Sequence, residues 1–292
     1  MSSPRVWFIT GASTGFGRAL AELVLRKGEI AVATARSPES LSPLTAEYPP
    51  ERLLVLKLDV TQPQDVLAAF ARAKDAFGRI DVVVNNAAVA VMGEIEAQAA
   101  HRDGLEEGGP VRGMFETNFW GAARVTSEAV RFFREVNDPV GGRVLQISSI
   151  TGLIGGPGLG YYTASKHALE GLTESLASEL DPSWNIKVTL VNPASFHTEG
   201  QAKTTWAPPH PAYSSSDLPA TRMRGGWGSY APSGDVHKAV EVIYRLASEP
   251  DPPLHLLLGE VAHTYVKQKI AKLSAEVEKY ESWSENLKKD GL

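Results

Sequence analysis

The chain has 292 residues, a formal net charge of -5, 43% hydrophobic and 22% charged residues, a composition typical of a soluble globular domain. It has no cysteine, which excludes disulfides and thiolate metal sites, and no basic block that would indicate nucleic acid as a partner. No signal segment is evident, and no apolar run reaches the roughly 18 residues that a membrane span needs. We therefore expect a cytoplasmic protein that binds neither nucleic acid nor membrane.

Short apolar runs alternate with helical patterns along the chain. Because these runs lack polar alternation, they predict strands that are buried on both faces of a parallel sheet. The expected fold is α/β, a doubly wound parallel seven-stranded sheet of Rossmann type, in one domain over residues 1–260. The predicted strands are 5–10, 30–35, 53–58, 81–84, 142–147, 186–191 and 254–258. The predicted helices are 18–27, 65–77, 111–136, 161–180 and 235–247.

Three stretches interrupt this alternation. Residues 89–110 have no clear period and predict an insertion loop at the rim of the sheet. Residues 196–233 are rich in Pro, Ser, Gly and aromatic residues, and their length predicts a substrate lid. Residues 261–292 form a C-terminal extension whose apolar residues recur in steps of three and four, as in an amphipathic helix. We expect this helix to pack on its own sheet, with a coiled-coil dimer as the alternative.

A glycine cluster, "ITGASTGFGRAL", follows the first strand and begins the first helix. Its glycines, Gly11, Gly15 and Gly17, allow a sharp turn and the close approach of a diphosphate. The helix N-terminus offers unpaired N–H groups, and Ser13 and Thr14 add hydroxyl donors. The position of the cluster at the first strand-to-helix turn predicts a dinucleotide site.

The end of the second predicted strand bears on which dinucleotide binds. An acidic residue there would hold the ribose 2′-hydroxyl of NAD(H), but Ala35 occupies the position and Arg36 follows it. A guanidinium matches the geometry of a phosphate. The sequence therefore predicts NADP(H) rather than NAD(H), unless Arg36 is only a solvated surface residue.

Taken in order, the motifs resemble the short-chain dehydrogenase/reductase family, in its classical branch, from about residue 5 to residue 260. The motifs are TGxxxGxG at residues 10–17, "LDVT" with Asp59 and Val60, "NNAA" with Asn86, "FETNFWG" with Asn118, "ISSITG" with Ser149, "YTASK" with Tyr162 and Lys166, and "NPASFHT" with Pro193 to Thr198. Ala88 and Ala194 stand where the family usually has glycine, and the chain between Asn86 and Asn118 is longer than expected.

The resemblance implies two sets of site residues. The expected catalytic set is Asn118, Ser149, Tyr162 and Lys166. The expected cofactor-binding set is Gly11, Ser13, Thr14, Gly15, Phe16, Gly17, Arg36, Asp59, Val60, Asn86, Tyr162, Lys166, Pro193, Phe196 and Thr198. No metal ligand is expected, because His197 and His210 lack partners at metal spacing.

A free tyrosine has a pKa near 10, and Lys166 lies one helical turn beyond Tyr162, so we expect its charge to favour the phenolate. Tyr162 would then exchange a proton with a carbonyl or alcohol oxygen, and Ser149 would orient that oxygen. The resemblance implies that Lys166 also binds the nicotinamide ribose and that Asn118 holds a water. The neighbouring residues Tyr161 and Ser148 are the less favoured candidates for these two roles.

The expected activity is an NADPH-dependent ketone or aldehyde reductase with an apolar or aromatic small-molecule substrate. The lid aromatics Trp206, Tyr213, Trp227 and Tyr230 either bind that substrate or anchor the lid. Open alternatives are a hydroxysteroid-type or 3-oxoacyl-type dehydrogenase, and a non-catalytic NADP(H) sensor. We expect a homodimer or a monomer rather than a tetramer.

Overall fold

The computed structural model describes residues 3–100, 104–200, 203–285 and 287. Seven of its strands form one parallel sheet in the order β3-β2-β1-β4-β6-β7-β9, which confirms the predicted Rossmann-type fold. The strands are β1 (Val6–Ile9), β2 (Ile30–Ala35), β3 (Leu53–Lys57), β4 (Val82–Asn85), β5 (Val91–Met92), β6 (Gly142–Ile147), β7 (Ile186–Pro193), β8 (Thr205–Trp206) and β9 (His255–Leu258).

Helices cover both faces of the sheet. They are α1 (Gly15–Arg26), α2 (Ser42–Glu47), α3 (Pro63–Phe77), α4 (Ile95–Ala100), α5 (Pro110–Phe115), α6 (Ala122–Glu135), α7 (Gly160–Glu179), α8 (Pro219–Gly226), α9 (Val236–Leu246) and α10 (Glu260–Tyr280). In β1, Trp7 and Ile9 join the core beneath α1 and α9, whereas Val6 and Phe8 join the core beneath α3 and α6. Both alternating faces of the strand are therefore apolar.

The order of the strands places the site. β1 lies between β2 and β4, so the chain leaves β1 toward one side of the sheet and later returns on the other. At such a switch point the connections after neighbouring strands diverge and leave a crevice outside the carboxyl ends of the strands. The loops after β1 and β4 border this crevice.

The helix that the sequence predicts over 111–136 is interrupted by a π-helical turn. α5 ends at Phe115, the π-helical turn covers Glu116–Gly121, and α6 begins at Ala122. A π-helical turn inserts an extra residue per turn and is common at functional sites. Asn118 lies within this turn, so its side chain is displaced from the regular helical pattern of its neighbours.

The expected insertion and the expected lid are joined to each other. β5 in the insertion pairs with β8 in the lid, in the register Val91 with Thr205 and Met92 with Trp206. α4 and α8 lie in the same two segments. Residues 101–103 and 201–202 of these segments lie outside the described residues, and the domain boundaries drawn from the sequence stay predictions.

The prediction that the C-terminal helix packs on its own sheet is wrong beyond its first turns. α10 buries Ala262, but Ile270, Leu273 and Val277 are 61%, 54% and 61% exposed. The apolar residues do recur at helical spacing, but the helix extends beyond the residues that could cover them. None of the helices in the described part of the chain combines the length and apolar character that a membrane-spanning helix requires.

Candidate active site

A cavity of about 550 Å³ opens at the carboxyl ends of the strands. It is lined by residues from the turn after β1, the ends of β2, β3 and β4, the start of α7 and the loop after β7. Every residue of the two expected sets lines this cavity except Gly17 and Asn118. The fold thus brings together motifs that are far apart in sequence.

The glycine turn after β1 is closed by a side chain from the neighbouring strand end. The Nδ2 atom of Asn86 donates to the carbonyl oxygens of Thr10 and Gly11, at 2.9 and 3.0 Å. Gly11 has a φ of +64°, which favours glycine. A Cβ on Gly17 would lie 2.5 Å from both the Gly11 oxygen and Asn86 Nδ2, so no side chain fits there.

The N-terminus of α1 fits a bound diphosphate. Thr14 precedes the helix in an extended conformation, and its side chain does not cap the first N–H groups. These uncapped groups and the helix dipole favour an anion at this position. The far wall is formed by Phe196, whose ring packs edge-on against Phe16 with centroids 5.3 Å apart, and by Thr198 beside Gly15.

The other end of the cavity has a cationic and an acidic side chain. Arg36 is exposed and makes no hydrogen bond or ion pair with any described residue. Asp59 accepts hydrogen bonds from the backbone and hydroxyl of Thr61 at 3.0 and 2.8 Å, which fixes the turn after β3. Val60 is buried against the π-helical turn at Gly121. The Arg36 guanidinium is therefore available to an anionic group in the cavity.

Ser149, Tyr162 and Lys166 meet where β6 ends and α7 begins. Ser149 follows β6, and its Oγ accepts a hydrogen bond from the backbone of Thr151 at 3.1 Å. Tyr162 lies in the first turn of α7 and lines the cavity. Lys166 is 2% exposed and donates from Nζ to the carbonyl oxygen of Ile147 at 2.9 Å. A phenol, a hydroxyl and an amine are thus held at one end of the cavity.

The pKa of Tyr162 shifts in the direction opposite to the one argued from the sequence. Burial raises the pKa of the Tyr162 phenol, and the Ser149 hydroxyl opposes this rise only in part. The Lys166 Nζ lies 6.0 Å from the centre of the Tyr162 ring and is directed to the Ile147 oxygen. Burial also lowers the pKa of Lys166, to about 8, against the opposing charge of Glu170. Desolvation is therefore the dominant influence on both groups.

The side chain of Asn118 bonds to the insertion and does not line the cavity. Its Oδ1 accepts from the backbone N–H of Val89 at 2.9 Å, and its Nδ2 donates to the Val89 oxygen at 2.9 Å and to Ser165 Oγ at 3.2 Å. The side chain is 1% exposed. It therefore ties the start of the insertion to the turn of α7 between Tyr162 and Lys166.

The sequence analysis missed a buried carboxyl group behind Lys166. Glu170 Oε1 accepts from Ser148 Oγ and from Asn192 Nδ2, the latter at 2.7 Å. Asn192 Nδ2 also donates to the Ser149 carbonyl oxygen at 3.0 Å. The only sequence signal was the position of Glu170, one helical turn beyond Lys166. Ser148, the less favoured serine, belongs to this network.

The lid aromatics divide into two pairs. Trp227 and Tyr230 line the cavity together with Met92 and Met223, whereas Trp206 and Tyr213 do not. The Tyr213 hydroxyl donates to Glu96 at 2.6 Å, which attaches the lid to the insertion. Trp206 and Tyr213 therefore lie where they can anchor the lid, whereas Trp227 and Tyr230 lie at the cavity.

A partly buried ion pair also connects the lid to the insertion. Arg224 Nη2 lies 2.6 Å from Glu94 Oε2, and the Glu94 side chain is 2% exposed. Arg224 donates as well to the Ala207 oxygen at 2.7 Å, and its guanidinium lies 4.8 Å from the ring centre of Trp206. The two segments therefore form a single cover over the mouth of the cavity.

Comparison with known proteins gives consistent results. The family model described as short chain dehydrogenase matches residues 5–208. An uncharacterized oxidoreductase of Schizosaccharomyces pombe is 38% identical over 97% of this chain and 91% of its own length. The oxidoreductase calM of Penicillium decumbens is 40% identical over 98% and 92%. The crystal structure of a short-chain dehydrogenase from Streptomyces avermitilis has a TM-score of 0.86 and 34% identity, covering 99% of this chain and 100% of that one.

Two more distant structures share the fold and contain a nicotinamide cofactor. One is a Burkholderia phymatum protein in complex with NAD (22% identity, TM-score 0.76, covering 94% and 95% of the two chains). The other is from Burkholderia cenocepacia, in complex with NADP (23% identity, TM-score 0.71, covering 95% and 97%). The family model matches most of the chain, and these two relatives match almost all of it. The chain therefore belongs to the short-chain dehydrogenase family and is an oxidoreductase.

Proposed function

We propose that this oxidoreductase is an NADPH-dependent reductase of ketones or aldehydes, with an apolar or aromatic substrate. The observation that carries the proposal is the joint position of Ser149 and Tyr162 at the cavity, with Lys166 buried behind them. A phenol beside a hydroxyl matches what carbonyl reduction needs at the oxygen atom, a proton donor and a second hydrogen bond.

When bound, the nicotinamide supplies the hydride. Tyr162 donates its proton to the carbonyl oxygen, and because burial raises the pKa of its phenol, this proton is present near neutral pH. Ser149 holds the same oxygen by a hydrogen bond. The Lys166 ammonium group stabilises the phenolate that remains after the proton has left.

NADP(H) is the proposed cofactor, and NAD(H) the less favoured one. The glycine turn and the uncapped start of α1 suit the diphosphate common to both. The preference rests on Arg36, an exposed cavity residue without another partner among the described residues, and on Ala35 in place of an acidic residue. A 2′-phosphate would satisfy the guanidinium.

The proposed substrate class rests on the cover. Met92, Met223, Trp227 and Tyr230 give the outer cavity an apolar lining. The lining does not separate a simple ketone from a hydroxysteroid-type or 3-oxoacyl-type substrate, which remain the alternatives. A non-catalytic NADP(H) sensor is less favoured, because such proteins usually lose the tyrosine or the lysine.

We also propose a homodimer or a monomer as the working state, in the cytoplasm. Family members that form tetramers commonly pack through the last strand and a short tail. Here α10 follows β9 directly and extends away from the body, with Ile270, Leu273 and Val277 exposed, so it obstructs that contact. A sedimentation mass of four chains would overturn this part.

The experiment that tests the function is a screen of NADPH oxidation with aromatic, aliphatic and polycyclic ketones and aldehydes. We expect turnover with at least one apolar carbonyl compound and slower turnover with NADH. NADPH binding without turnover across the whole screen would instead favour the sensor.

A further inference from the structure

Glu170 is a buried carboxyl group that the proposed chemistry does not use. Its side chain is 5% exposed, and its two oxygens have different surroundings. Oε1 accepts from Ser148 and Asn192, whereas Oε2 makes no hydrogen bond among the described residues and faces His255 Nδ1 at 3.3 Å. Burying a carboxyl group in such a place is costly, which suggests a role beyond packing.

Glu170 and Lys166 reach the same point of the sheet. They are four residues apart on α7 and so lie on one face of the helix. Lys166 bonds to the backbone of Ile147, and Glu170 bonds to the side chain of Ser148, the next residue. The ammonium group and the carboxyl group therefore lie on the same side behind the cavity without forming a direct ion pair, and Lys166 has no other acidic residue on this helix face within the described residues.

We propose that Glu170 is a positioning residue that keeps the side chain of Lys166 charged as an ammonium group. This inference rests on the proposed function, since a neutral amine would not stabilise the phenolate of Tyr162. The hydrogen bonds from Ser148 and Asn192 favour the ionised form of Glu170. Glu170 in turn offsets the desolvation of the buried Lys166 ammonium.

The charges of Glu170 and Lys166 act on each other's pKa in the direction that the proposal requires. Burial raises the pKa of Glu170, which stays above its usual value although the Ser148 and Asn192 hydrogen bonds and the charges of His255 and Lys166 oppose the rise. Burial lowers the pKa of Lys166, and Glu170 opposes that fall. Each group thus stabilises the charged form of the other. His255 faces the outer oxygen of Glu170, and Glu174 faces the opposite side of the His255 ring.

A metal ion is a poorer explanation for this cluster. Glu170, Glu174 and His255 lie close enough to offer three ligand atoms. However, Nδ1 of His255 faces Glu170 at 3.3 Å while Nε2 faces Glu174 at 3.4 Å, so the ring lies between the two carboxylates. A metal ion would use one ring nitrogen, whereas here each ring nitrogen faces a different carboxylate, so the three groups do not converge on one point.

The test is an NMR titration of the cofactor-free protein with ¹³C- and ¹⁵N-labelled lysine, in which the signal lost in Lys166→Arg identifies Lys166. In the wild type we expect Lys166 to titrate near pH 8. Glu170→Gln keeps the shape but removes the charge, and should lower the Lys166 pKa by about one unit. Glu170→Asp keeps the charge, so the pKa of Lys166 in that variant should stay close to the wild-type value.

Glu179→Gln is the matched control, because Glu179 is an exposed residue at the end of the same helix and should leave the titration unchanged. If Glu170→Gln fails to fold, Ser148→Ala tests the same idea, since losing its hydrogen bond should lower the Lys166 pKa by a smaller amount. An unchanged or raised Lys166 pKa in these variants overturns the proposal, whatever the enzyme reduces.

A second arm uses the pH dependence of kcat/KM with a reactive ketone. In Glu170→Gln the alkaline loss of rate should begin at lower pH than in the wild type, with unfolding midpoints compared alongside. A purely structural role would lower the rate by the same factor at every pH, and that result would contradict the proposal.

Discussion

Lys166 donates from Nζ to the carbonyl oxygen of Ile147 at 2.9 Å, so the amine on α7 is tied to the last residue of β6. Ser149 lies two residues beyond Ile147, and Tyr162 lies one turn before Lys166. The hydrogen bond therefore helps to hold the start of α7 against the end of β6. It holds the phenol and the hydroxyl at the same end of the cavity before any ligand binds.

The first prediction concerns the glycine turn. A Cβ on Gly17 would lie 2.5 Å from the Gly11 oxygen, so Gly17→Ala must displace the turn that suits the diphosphate. We expect NADPH binding to weaken by about tenfold or more, a cost of about 1.4 kcal/mol or more, measured by titration of coenzyme fluorescence.

Gly171→Ala is the control for that change. Gly171 is an exposed residue inside α7, and a Cβ there meets nothing within 4 Å. This substitution should stabilise the protein by about 0.5–1 kcal/mol and leave coenzyme binding unchanged. Normal NADPH affinity in Gly17→Ala would show that the turn does not approach the coenzyme.

The second prediction concerns coenzyme choice. Arg36→Asp removes the guanidinium and adds a charge of the same sign as a phosphate. NADPH binding should weaken by about 10- to 100-fold, because a charge-assisted hydrogen bond contributes about 1.5–3 kcal/mol, whereas NADH binding should change little. Arg72→Asp, on the exposed face of α3, controls for net charge. Equal losses for NADPH and NADH would refute the role of Arg36.

The third prediction concerns the cover over the cavity. Arg224→Met leaves the Glu94 carboxylate without its partner, and we expect a loss of about 1–3 kcal/mol in the free energy of unfolding of the cover or of the whole chain, since the pair is partly buried. The double variant Arg224→Met/Glu94→Leu should lose less, since no buried charge remains. Urea unfolding measures the loss of stability, and the KM for an apolar ketone measures the effect of the cover on substrate binding. Equal destabilisation by both variants would contradict this account.

The same pair predicts a pH dependence. Burial raises the pKa of Glu94, but the hydrogen bond and charge of Arg224, together with backbone hydrogen bonds at Glu94 and His210, outweigh this effect, so the net pKa is below the usual value. A carboxyl group with a lowered folded pKa stabilises the fold above its unfolded pKa and loses this contribution as pH falls through the folded value. The free energy of unfolding of the wild type should therefore decrease as pH falls through the pKa of Glu94, and the double variant should lack this decrease. Identical pH profiles would exclude the effect.

The sheet was predictable, and so was the meeting of the candidate residues Ser149, Tyr162 and Lys166 at one cavity, because their signals are local. β1 reads as one apolar run, since Val6 and Phe8 face one core and Trp7 and Ile9 face the other. The motif with Tyr162 lies at the start of the helix that follows β6 in the chain, a position that the alternation of elements already indicated. The ends of parallel strands then bring such motifs together at one edge.

The remaining features depend on contacts between distant segments. Glu170, Asn192 and His255 come from α7, β7 and β9, and no spacing links them. The pairing of β5 with β8 involves two residues on each side, too few for a periodic signal. In α10 the apolar period predicts a helix face, but it carries no information about what covers that face.

The most direct test of the central claim is Tyr162→Phe, which removes the hydroxyl that donates the proton and keeps the ring. With a ketone that the wild type reduces, kcat/KM should fall by about a thousandfold or more, equivalent to about 4 kcal/mol of transition-state stabilisation, while the Kd for NADPH changes by less than about threefold. A variant that keeps most of the wild-type rate would contradict the assignment of Tyr162 as the proton donor.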